Sequence, residues 1–226
     1  MTVIAYSIEK PSTSTLEQQA ETLNSFAPYI AKALKLAIND IGLLSPFHAK
    51  TASGTYLYHE TLRYMRELLK EYGFEPLNMG NVELTYHKQL GIALYYCRVT
   101  KEVKSLDSYP LSLRKRGEHT KKLMHLSENS LLTPDLFPET LESVENNSLV
   151  PFMHIWAVML YADVKTEQYV ANIGYPESVD HHSRIDSFSH RIPLPLDISD
   201  IVTEKRPDFA ENPETEIQTK YEKLIA

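Results

Sequence analysis

An α+β fold is what this sequence predicts: a mostly antiparallel sheet of at least four strands covered by N-terminal helices, with a helical or loop insertion between two strand pairs. Three observations lead there. Apolar residues recur at helical spacing in the first third of the chain, the middle switches to alternation and short apolar runs, and a long polar stretch divides the strand-like segments.

Ser14, with Glu17 three residues on, makes a capping-box pattern that opens the first helix. Leu16, Ala20, Leu23, Ala27, Ile30, Leu34, Ala37, Ile38 and Ile41 then fall on one helical face as far as Gly42. Pro28 lies inside this pattern, so either the helix bends there or two shorter helices meet, because proline removes a hydrogen bond and crowds the preceding turn. Residues 43–53, with Pro46, read as a loop. A second helix follows from Tyr58, Leu62, Met65, Leu69 and Tyr72, ending at Gly73. Its other face mixes Glu60, Arg63, Arg66, Glu67, Lys70 and Glu71, the composition of a solvated surface.

The period then changes. Val82, Leu84 and Tyr86 alternate with polar residues, and 90–103 is rich in tyrosine and aliphatics, which together predict two antiparallel strands. A second pair is expected at 154–162 and 169–173, around the polar 163–168 turn. Between the pairs, 104–148 is polar and suggests a helix near 117–129 and a short one near 138–145. After Tyr175 a loop rich in His, Asp and Ser leads to Ile192-Pro193-Leu194-Pro195-Leu196, and the chain finishes with an acidic tail and a short helix over 213–224. The expectation is one domain, 1–226: a helical part 12–73, a sheet part 81–196 carrying the 104–148 insertion, and the tail 197–226.

With 226 residues and 42% hydrophobic content, one domain can bury a real core. Only 7 glycines argue against Gly-rich phosphate loops. The net charge of -7 argues against a surface that tracks a phosphate backbone throughout. Cys97 is the single cysteine, so neither an intramolecular disulfide nor a thiolate zinc site can form within one chain, which fits a reducing compartment. The first ten residues lack a basic start followed by an apolar run, and 149–162 is too short for a bilayer and holds Pro151 and His154. A cytoplasmic protein without membrane contact is the expectation.

Three constellations carry candidate chemistry. Asp180, His181, His182, Asp186 and His190 form a dense set of imidazoles and carboxylates suited to a divalent metal. The Asp-His-His triplet resembles one motif of the DHH phosphoesterases, without the aspartate pairs those enzymes carry on other strands. The plainer reading is a polar surface loop. Second, Pro134-Asp135 followed by Asp163-Val164-Lys165 fits the spacing of PD-(D/E)XK nucleases, in which Asp135 and Asp163 would hold Mg²⁺ and Lys165 would position the attacking water. Against it, Asp163 and Lys165 are ordinary turn residues at a hairpin end. Third, Arg114, Lys115, Arg116, Lys121 and Lys122, with Tyr109 beside them, could hold an anion or a nucleic acid; the segment 101–122 carries seven basic residues against three acidic ones, a local +4. A soluble loop explains the same residues.

Two His-x-Ser units, His125-Leu126-Ser127 and His181-His182-Ser183, match the element that two-histidine phosphodiesterases use twice, at a frequency that chance alone supplies. Cys97 lies in an apolar strand, where a thiol is core packing, and His154 opens a strand as a hydrogen-bonded structural residue.

The leading expectation is therefore a non-enzymatic binding protein acting through a protein interface, in the manner of inhibitor, immunity or accessory proteins of microbial and mobile-element systems. Its 14 tyrosines suit interface anchors. The alternatives are a metal-dependent nuclease or phosphodiesterase, and a nucleic-acid-binding accessory module on the 114–122 basic patch. No cofactor is expected on the first reading and a divalent metal on the second; the oligomeric state stays open.

Overall fold

The structure, a computed structural model, describes residues 13–45, 47–124, 153–163 and 166–197; within the first helix the side chains of 13–15 are not described. Two helices lead, α1 (Thr13–Gly42) and α2 (Ala52–Leu69), the latter tightened by a 3-10 turn (Lys70–Tyr72). Strands β1 (Phe74–Met79), β2 (Val82–His87) and β3 (Ile92–Arg98) follow. After a 3-10 turn (Lys101–Lys104) and a short α3 (Glu118–Leu123) come β4 (His154–Asp163), β5 (Gln168–Val179) and β6 (Ile185–Leu194). The predicted helices near 138–145 and 213–224, and the end of the one near 117–129, lie outside the described residues.

α1 runs unbroken through Pro28. Proline in a helix costs about 3 kcal/mol. Leu23, Ile30 and Leu34 are fully buried on the opposite face, and each such side chain contributes about 1.5–3 kcal/mol, so packing outweighs the lost bond. Pro28 itself faces solvent. α2 buries Leu57, Thr61, Leu62, Met65 and Leu69 against α1 and the sheet and stops at Gly73, whose φ of 87° is a left-handed cap.

The sheet has six strands in sequence order, β1-β2-β3-β4-β5-β6. Every neighbouring pair is antiparallel except β3–β4, which is parallel, with Ile92 opposite His154 and Arg98 opposite Leu160. A parallel pair needs a long crossover; the expected insertion is that crossover, and it separates two three-stranded halves. β3 and β4 are buried on both faces, which is why they read as near-continuous apolar runs. On one face Ile92, Leu94, Tyr96, Trp156, Val158 and Leu160 pack under α1 and α2. On the other, Ala93, Tyr95, Cys97, Ile155, Ala157 and Met159 gather with Val99, Val103 and Met124 of the crossover.

Two strands depart from the expectation. β1 ends in a two-residue turn, Gly80-Asn81, with φ of 55° and 67°, the primed geometry that joins paired strands without splaying them. Residues 176–191, expected as a loop, are instead the end of β5, a tight turn and most of β6.

α1 is fastened to the parallel pair by Gln19. Its amide oxygen accepts from Trp156 Nε1 at 3.0 Å and lies 2.8 Å from His154 Nδ1, and its amide nitrogen donates to the Leu90 carbonyl at 3.3 Å. Because that oxygen only accepts, Nδ1 carries the proton. His154 is thus a structural histidine. No described helix is long and apolar enough to cross a membrane.

Candidate functional site

The crossover loop and the β5–β6 turn meet on the sheet face away from the helices. Ser112 joins them: its N–H donates to the Ile185 carbonyl at 2.8 Å, and the Ile185 N–H donates to Ser112 Oγ at 2.9 Å. The Arg116 N–H reaches the Ser183 carbonyl at 2.7 Å. Asp180, His181 and His182 of the histidine-rich set, and Arg116 of the basic set, belong to this junction.

Asp180 opens the β5–β6 turn. The Ser183 N–H donates to its carbonyl and its own N–H donates to Arg184, both at 2.8 Å, while Ser183 adopts φ of 60°. This is a three-residue hairpin loop of the type that ends in a left-handed residue. Asp180 Oδ1 accepts from the N–H groups of His182 and Arg184 at 2.8 Å each, and Oδ2 takes the Arg184 guanidinium at 2.8 and 2.9 Å. The Arg184 N–H, then its guanidinium and the His182 N–H, hold this carboxyl below the usual aspartate range. Its oxygens are committed to the turn. The His181 and His182 rings, centroids 3.8 Å apart, are exposed.

The remaining members of that set lie elsewhere. Asp186 accepts from Ser178 Oγ at 2.7 Å across the hairpin. His190, at φ of 49° in an irregular stretch of β6, has Nδ1 3.0 Å from Ser189 Oγ and its ring edge-on to Trp156 under the helices. Among the described residues, no three His, Cys, Asp or Glu side chains are grouped to hold a metal ion. Of the nuclease set only Asp163 is described: it ends β4, where Oδ1 accepts from the Thr166 N–H at 3.4 Å. Asp135 and Lys165, like His125 of the paired-histidine pattern, lie outside the described residues. Cys97 is buried, and burial pushes its thiol up to about 11, so it stays protonated at neutral pH.

The five basic residues divide. Arg116 turns inward and donates to the Tyr95 hydroxyl at 2.5 Å; burial pushes that phenol up to about 12. Lys121 pairs with Glu118 and reaches Ser183 Oγ at 3.4 Å. Arg114, Lys115 and Lys122 are exposed and form no ion pair among the described residues.

Beside them stands a feature that composition hides. Val99 bridges to Ser112, the Thr100 N–H donates to the Leu111 carbonyl at 2.9 Å, and the Leu113 N–H donates to Arg98 at 2.9 Å, which close 100–112 into an Ω-type loop. From β6, Arg191 Nη1 donates to the carbonyls of Ser105, Leu106 and Ser108 at 2.9, 3.0 and 2.7 Å, and Nη2 to that of Val103 at 3.0 Å. Asn172 Nδ2 adds a bond to Val103 at 3.1 Å. So fastened, the loop region turns out Leu106, Tyr109 and Leu113, which are 52%, 75% and 49% exposed. The available signal was a set of large apolar residues, Leu106, Tyr109, Leu111 and Leu113, in an otherwise polar segment.

A recess of about 420 Å³ lies between α2 and β2 and is lined by Tyr58, His59, Leu62, Arg63, Arg66, Glu67 and Glu83. Its charges answer one another: Arg66 meets Glu83 at 2.5 Å, and Arg63 meets Glu60 and Glu67 at 2.6 and 3.3 Å. Arg66, with Asn78, holds the Glu83 carboxyl below its usual range, while burial and the Glu83 charge raise the Tyr58 phenol. The Tyr58–Glu83 pair is therefore a neutral phenol beside a weakly basic carboxylate, poor material for proton transfer at neutral pH. Compared with known proteins, the chain matches no family model, no curated protein and no solved structure at a significant level.

Proposed function

We propose that this chain is a cytoplasmic, non-enzymatic binding protein that works through a protein interface centred on the 100–112 loop. One observation carries the reading: a loop held by four carbonyl bonds to Arg191 presents Leu106, Tyr109 and, just past its closure, Leu113 to solvent. Exposed apolar side chains gathered on one loop are costly for a protein that meets only water. Holding the loop in one shape beforehand removes ordering entropy that association would otherwise lose. The aromatic and aliphatic trio then supplies anchors, with polar residues around them.

The test is differential capture. Full-length protein and a Leu106→Asp, Leu113→Asp variant are compared as baits in lysate of the cell that encodes them, after circular dichroism confirms equal folding. A protein retained stoichiometrically by the wild type and lost by the variant is the expected result. Equal capture by both, or retention of nucleic acid alone, overturns the reading.

A further inference from the structure

Resting on that interface, we infer that its partner is a protein surface that is acidic around an apolar recess. The loop region is a local excess of positive charge on a negative chain: 101–122 sums to +4, against -7 for the whole. An acidic surface is therefore drawn to this segment, which orients encounter before contact.

The cations that face outward set the rim. Arg114, Lys115 and Lys122 are exposed and unpaired among the described residues, whereas Arg116 is spent on Tyr95 and Lys121 on Glu118 and Ser183. Lys104 donates to Gln168 at 2.6 Å and lies over the Tyr161 ring. Of the loop's acids, Asp107 acts on the Arg191 guanidinium that pins the backbone, so its charge is partly answered from within. The exposed residues of this segment thus combine three large apolar side chains, Leu106, Tyr109 and Leu113, with an excess of cations.

That arrangement decides between an acidic protein and a nucleic acid. Single-stranded nucleic acid needs stacking platforms, and Tyr109 is the one aromatic side chain among the three exposed here; Leu106 and Leu113 offer no ring face. With Lys101, which is also exposed and in no ion pair among the described residues, four cations would neutralise about four phosphates, giving a salt slope near -3 on a single strand and a weak hold for a chain of this net charge. The leucines instead fit a recess in a folded surface, and the cations fit carboxylates around it.

Random peptides displayed on phage, selected on the immobilised full-length chain, provide the probe. Enriched peptides should carry Asp or Glu beside Leu, Phe or Trp. Their affinity, measured by calorimetry, should fall about tenfold in Leu106→Ser, Leu113→Ser and again in Arg114→Glu, Lys115→Glu, and weaken with salt. A fluorescent single-stranded oligonucleotide is titrated in parallel. Enriched peptides without acids, or affinity indifferent to the charge reversal, overturn the acidic partner; if they still depend on Leu106 and Leu113, the protein-interface reading survives. No enrichment at all, or an oligonucleotide that binds through Arg114 and Lys115 with the leucines irrelevant, overturns both.

Discussion

The β5–β6 turn and the 100–112 loop are neighbours joined through Ser112, and they use their residues in opposite ways. The turn is full of metal-competent side chains, yet Asp180 spends both oxygens on backbone N–H groups and on Arg184. The loop is full of ordinary serines and leucines, yet Arg191 takes up four of its carbonyls while Leu106 and Tyr109 stay outside. Polar atoms that satisfy each other are structure; apolar atoms that satisfy nothing invite a partner.

Removing the clamp should break this contrast most. Arg191→Ala leaves four carbonyls short of a charged donor, and a loss of about 2–3 kcal/mol is expected, read as a lower urea midpoint. Amide exchange at residues 105–109 should accelerate beyond the rest of the chain. Uniform exchange with an unchanged midpoint would mean the loop holds itself. Ser112→Ala comes next: it deprives the fully buried Ile185 N–H of its acceptor, and about 1–2 kcal/mol should be lost. Here both loop and turn should loosen together, because Ser112 bonds to one from within the other.

Legibility followed burial. The apolar face of α1 could be written from spacing alone: of its nine predicted positions only Ala20 is partly exposed. β3 and β4 announced themselves as apolar runs because both of their faces are covered. β1 is an edge strand with Pro76 inside and only Phe74 buried, so no alternation survived to be read. β6 was hidden by its irregularities: register shifts between Ile173 and Tyr175, and again between Pro176 and Val179, break the two-residue period, so inward residues do not alternate cleanly. The candidate interface was the least legible, since the exposure of Leu106 and Tyr109 depends on Arg191, which is remote in sequence and looks like any strand cation. His154 and Cys97, by contrast, needed only their apolar neighbours to be placed.

Asp180 gives a smaller, pH-dependent test. Its carboxyl is held below its ordinary value of 3.8 in the folded state, so its contribution is present above that value and lost as pH falls through the lowered one. Asp180→Asn keeps an acceptor for the turn but cannot titrate. Midpoints of the two proteins should differ at neutral pH and converge as acid protonates the wild type; a gap that persists unchanged at low pH would show that the Arg184 bond, not the charge, matters.

The smallest effect is expected where the sequence looked most chemical. His181→Ala, His182→Ala removes two exposed rings that contribute no backbone bond of the turn, since the His182 N–H to Asp180 survives the substitution. Stability should move by no more than about 0.5 kcal/mol, and a zinc titration of the two proteins should give superimposable melting curves. A wild type that gains stability with zinc while the variant does not would mean that the turn recruits ligands beyond Asp180, and the contrast between the two loops would then have to be redrawn with both as binding elements.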